Sequence, residues 1–82
     1  MSTFDGFGPF ASDLRISERG VLVHRLLKAM APVPEAAAVA TILGDPQNPK
    51  RRAQAVAHLN AMSPAAQSRV LAAYEKLCRR AA

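Results

Sequence analysis

Eighty-two residues, half of them apolar but only four aromatic, make one thin-cored domain with no room for a second, and folding of so short a chain buries only about 60% of its unfolded surface. The single cysteine, Cys78, excludes an intramolecular disulfide and any multi-cysteine metal site, and no segment approaches the roughly eighteen apolar residues of a membrane span. The net charge of +5 is lopsided: residues 1 to 49 carry four cations against five anions, while residues 50 to 82 carry seven cations against Glu75 alone, which points to an anionic partner.

In chain order, residues 1 to 12 hold all three phenylalanines, two glycines and a proline with no helical or alternating period, and read as an irregular arm ahead of a helical domain over residues 13 to 82. The N-terminus has no basic region followed by an apolar run, so we expect a cytoplasmic protein without a leader. Ser17 predicts an N-cap, with Ile16 and Val21 placed to meet as a hydrophobic staple. Leu22, Leu26 and Met30 then recur every four residues with Val23 and Leu27 beside them, an apolar stripe of helical period that Pro32 ends.

Pro34, Pro49 and Pro64 fall fifteen residues apart, and each suits the first position of a helix, where its missing N–H costs nothing. Asn48 and Ser63 precede two of them as good N-caps. Three further helices are predicted over about 34 to 43, 49 to 62 and 64 to 79, with stripes at Val39, Ile42 and Leu43, at Val56, Leu59 and Met62, and at Val70, Leu71, Tyr74, Leu77 and Cys78. No alternating β-branched run occurs, so the expected fold is all-α, a compact bundle of four short helices with an irregular N-terminal arm. A core this thin is marginal by itself, which makes a homodimer or a partner covering one face an expectation.

The stretch GDPQNPKRR, residues 44 to 52, carries most of the functional information. Gly44 suits a left-handed position just past a helix end, Asp45-Pro46 starts a turn, and Asn48-Pro49 opens the next helix. Lys50, Arg51 and Arg52 then stand in a first turn, where the macrodipole prefers anions and each cation costs about 0.3–1 kcal/mol. Free N–H groups, a positive dipole and basic side chains in one place are what a phosphate would relieve. Gln54 and His58 share a face with Arg51 and would lie closest to bases, while Arg69, Lys76, Arg79 and Arg80 would extend the positive field. Residues 40 to 44 have the small-residue-to-glycine spacing of the first helix in a helix-turn-helix, although the connection that follows is longer than that motif uses.

No enzyme is assembled by these residues. His24 lies in VLVHRLL, His58 falls two helices later, the carboxylates are scattered, and Cys78 has the spacing of a core residue; no catalytic, metal or cofactor motif occurs. Phe4, Phe7 and Phe10 admit two readings: a plug for an aromatic-poor core, or a docking peptide whose rings anchor in a larger protein target. The DPQNP run is similar, over five residues, to the proline-containing turn of type III secretion needle subunits; the similarity ends there, because Ser63-Pro64 breaks the long C-terminal helix in which those subunits continue. The expected function is therefore a small, non-catalytic, regulatory or accessory protein that contacts nucleic-acid phosphates, without membrane association. The alternative is a protein-interaction module, an inhibitor or adaptor, using the arm and an apolar helix face.

Overall fold

A computed structural model describes residues 3 to 81; Met1, Ser2 and Ala82, the ends of the expected arm and helical domain, lie outside the described residues. Four helices follow in order: α1 (Ile16–Met30), α2 (Ala37–Ile42), α3 (Pro49–Ala61) and α4 (Pro64–Ala81). Single 3-10 turns at Gly8–Phe10 and Pro34–Ala36 precede α1 and α2, and among the described residues there is no strand. The all-α bundle with an N-terminal arm is thus what the chain forms. Helix α1 packs chiefly against α4, across the whole length of the chain, and α2 packs against α3, its neighbour in sequence.

The prolines act as helix starters for the expected reasons. Pro49 and Pro64 are the first residues of α3 and α4, where no hydrogen bond is lost. Pro34 instead opens a 3-10 turn, and α2 proper begins only at Ala37. Ser63 caps α4 by accepting from the Ala66 N–H at 3.3 Å, and is itself gripped by Glu35, whose carboxylate accepts from the Ser63 N–H at 3.0 Å and hydroxyl at 2.9 Å. From α4, the Gln67 amide reaches back to the carbonyls of Leu59, Asn60 and Met62 at 3.0 to 3.1 Å, covering groups that the end of α3 leaves open.

Two local expectations are corrected. The start of α1 lies at Ile16 with Arg15 in the cap position, and no side chain caps it. Ile16 is therefore inside the helix and about 140° around it from Val21, so the two cannot staple; they are 75% and 51% exposed. Arg15 meets Glu18 at 3.5 Å on the same first turn. Gly44 does not adopt a left-handed conformation, since the positive-φ glycines are Gly6 (65°) and Gly8 (44°). Its N–H bonds to the Thr41 carbonyl at 3.2 Å, and a Cβ at Gly44 would stand 3.2 Å from that same oxygen. Close approach of backbone, rather than φ, explains the glycine.

The core is a single cluster. Leu26, Val39, Leu43, Leu59 and Val70 are fully buried, and buried alanines at 29, 36, 55 and 66 let the helices come close. A core so rich in alanine and so poor in aromatics leaves space that the arm fills. Phe4 has no exposed surface. Its N–H donates to Asn60 Oδ1 on α3 at 3.2 Å, Phe7 lies edge-on to it with ring centres 5.4 Å apart, and Phe7 in turn meets Tyr74 of α4 at 4.9 Å. The spacing of three is what makes this possible. Phe7 N–H bonds to the Phe4 carbonyl and Phe10 N–H to the Phe7 carbonyl, so two successive four-residue turns, with Gly6 and Gly8 at positive φ, fold the arm into a compact coil. The radius of gyration of 11.5 Å is close to the roughly 12 Å expected of a fully compact chain of this length.

Candidate nucleic-acid interface

The connection over residues 44 to 48 delivers α3 to the surface with its first turn closed. Asn48 Oδ1 accepts from the N–H groups of Lys50 at 2.9 Å and Arg51 at 3.4 Å, the Arg52 N–H bonds to the Asn48 carbonyl at 3.0 Å, and Pro49 has no N–H. This corrects the expected origin of an anion site here: no backbone donor of the first turn is left for a phosphate. What remains is the dipole and the side chains.

Those side chains divide. Lys50 and Arg51 are exposed, whereas Arg52 is half-buried and turns back to donate to the Pro46 carbonyl at 3.0 Å, bracing the connection it follows. Gln54 and His58 are exposed, on the same side of α3 as Arg51 by helical spacing and clear of buried Ala55 and Leu59. On α4 the buried row is Ala66, Val70 and Tyr74. Arg69, Lys76, Arg79 and Arg80 are exposed. Arg69, Lys76 and Arg80, at seven- and four-residue intervals, form a row about 16 Å long on one flank. Arg79 and Arg80 also complement the dipole at the end of α4.

The two halves of the chain hold their cations differently. Among the described residues the only ion pair within 4.0 Å is Arg15–Glu18. In the N-terminal half Arg25 is half-buried against Cys78, its Nη1 donating to Sγ at 3.9 Å, and Arg19 is 4% exposed, its Nη1 donating to the Pro9 carbonyl at 2.7 Å. Burial and the nearby Arg52 hold the Arg19 guanidinium below the usual arginine range, with Asp13 opposing. Among the described residues the C-terminal cations, Arg52 apart, make no such contacts. Arg69 is partly offset: Glu35, held below the usual carboxylate range first by its hydrogen bonds from Ser63, also feels Arg69.

The remaining singled-out residues sit as follows. Phe4 is in the core, and Phe7 and Phe10 are packed against it, so a docking role for Phe4 would require the arm to leave its seat. Cys78 is half-buried and His24 exposed, on different helices. Desolvation, then Cys78, pushes the Tyr74 hydroxyl up to about 12. Among the described residues no three metal-ligating side chains converge, and no helix is long and apolar enough to cross a membrane.

Arg19 is the residue that sequence reasoning passed over, although its signal was there: it extends the stripe of Val23, Leu26 and Met30 by one helical step. Glu35 and Asn60 had no such signal, because their partners Ser63 and Asp5 are distant in the chain, and Gln67 bonds backbone carbonyls of the preceding helix end, which no side-chain pattern marks. Fold and surface together define a small all-α protein whose unpaired cations gather on its last two helices. No family model, no curated protein and no solved structure matches it.

Proposed function

We propose that this is a small, non-catalytic, cytoplasmic binding protein with a regulatory or accessory role, which contacts nucleic-acid phosphates through the start of α3 and the outer flank of α4. Lys50 and Arg51 clamp the backbone, Gln54 and His58 lie next to them toward the bases, and Arg69, Lys76, Arg79 and Arg80 extend the field, with half-buried Arg52 adding its charge from beside the Pro46 carbonyl. The observation that carries the reading is the division of charge. Two of the four cations of the first half, Arg19 and Arg25, are taken into the fold, while six of the seven on α3 and α4 are exposed and, among the described residues, have no carboxylate within 4.0 Å. A folded domain gains little stability from such a concentration of like charge, whereas a polyanion releases counterions on meeting it.

The test is fluorescence anisotropy of labelled duplex and single-stranded probes with the purified protein across a salt series. The reading expects micromolar or tighter binding whose log Kd rises steeply with log salt, and a slope reduced by about two when Lys50 and Arg51 are both replaced by Gln. Absence of binding at low salt would overturn it and turn the search to a protein target for the arm.

A further inference from the structure

The arm does more than cover the core. Where it lies along α3 it leaves an open groove of about 680 Å³, within the size range of small-ligand sites. One wall is α3, through Pro49, Arg52, Ala53, Val56, Ala57 and Asn60, and the other is the arm. From Arg52 to Asn60 the helix rises about 12 Å.

The two ends differ in character. At the far end Asn60 accepts from the Phe4 N–H with its carbonyl and donates its amide to Asp5 Oδ1 at 3.3 Å, which leaves Asp5 Oδ2 as an open acceptor. At the near end stands Arg52, with Arg19 behind it beneath the Pro9 carbonyl. Arg19 is nearly out of solvent with one carbonyl partner and no carboxylate within 4.0 Å, beside a second guanidinium. An anion arriving at Arg52 meets the field of both guanidiniums, which Asp13 offsets in part. Lys50, in line with Ala53 and Ala57 by helical spacing, borders the same end. Between the ends the walls are apolar, and the arm contributes half-buried Phe10.

We infer that this groove receives one unstacked nucleotide, its phosphate at Arg52, its base against Phe10 and Val56, and an exocyclic amino group at Asp5, so that the protein selects single strands over duplex. The inference rests on the nucleic-acid reading above and adds what a phosphate surface alone does not supply. A base inside a duplex is stacked on both faces and cannot enter a groove closed on one side by a folded-back arm. Stacking on an aromatic side chain is tolerant of sequence, and a carboxylate accepts from the amino group of cytosine.

The deciding experiment compares three labelled probes of equal length at one low salt concentration: a single strand, its duplex, and an abasic strand that keeps the phosphates and lacks the bases. The single strand is expected to bind about tenfold tighter than the abasic strand. Ala57→Leu, which fills the groove with an aliphatic side chain from an exposed position on its wall, should erase that difference, and Phe10→Leu, which keeps an apolar packing group but removes the ring, should reduce it. Circular dichroism of both variants checks that the helices persist. Equal affinity for single and abasic strands overturns the groove inference and leaves the phosphate reading standing. Binding of none of the three overturns the phosphate reading, and the groove assignment falls with it. Methyl shifts at Ala53, Val56 and Ala57 on adding a free nucleoside monophosphate, with no strand binding, would overturn the single-strand assignment in favour of a free nucleotide.

Discussion

FDGFGPF and GDPQNPKRR look alike as punctuation, each with glycine and proline interrupting helical pattern, yet the first becomes part of the core and the second stays at the surface. The difference lies in what stands between the glycines and prolines. Three phenylalanines at intervals of three have a large burial gain and a turn geometry that gathers them, so the arm closes onto Asn60, Tyr74 and Arg19. Asp45, Gln47 and Asn48 have no apolar surface to hide, and their polar groups are spent locally or near the surface: Gln47 reaches the Ile16 carbonyl and Asn48 caps α3. An irregular segment is thus assigned to inside or outside by its side chains rather than by its glycine and proline content.

The comparison breaks most readily at Phe4. Phe4→Ala empties a fully buried ring site and should cost about 3–5 kcal/mol, enough to unfold much of a small domain near 37 °C; urea denaturation reads it, and a loss below about 1 kcal/mol would mean the arm is only draped on the surface. Gly8→Ala comes next, since φ is +44° and a Cβ there would lie 2.6 Å from the Tyr74 hydroxyl oxygen, combining backbone strain with overpacking for about 2–3 kcal/mol. Gly6→Ala shares the positive φ but meets nothing within 4 Å, so it should cost only about 1 kcal/mol; equal thermal shifts for the two glycines would remove the contact with Tyr74 as a cause.

In the second segment the effects are smaller. Asn48→Ala should cost about 1 kcal/mol by freeing the Lys50 and Arg51 N–H groups, read as a lower denaturation midpoint at unchanged m. Acid tests the clamp on Ser63. Because the folded Glu35 carboxyl titrates below its unfolded value, it contributes stability that is fully present above the unfolded pKa and is lost as pH falls through the folded one. Glu35→Gln should therefore flatten the acid limb of the stability curve below about pH 5. Replacing Lys50 and Arg51 together by Gln should change stability least, within about 0.5 kcal/mol and in the stabilising direction, since it removes like charge from a positive helix end. Strong destabilisation by that pair would mean the two cations are structural, which would remove the premise of the phosphate reading.

By itself the sequence determined the number and order of the helices, because apolar periodicity, proline at the first helical position and the Asn48 and Ser63 caps are all local signals. It determined also where the cations gather. It left the arm open between plug and docking peptide, misjudged the start of α1 and the conformation of Gly44, and took the first turn of α3 to be open. Tertiary structure decided those points. The seat of Phe4 needs Asn60 and the core, the Glu35–Ser63 clamp joins residues 28 apart, and the groove exists only once the arm lies along α3. Each of these depends on groups that meet only after the chain has folded, and such meetings leave no periodic trace in the order of residues.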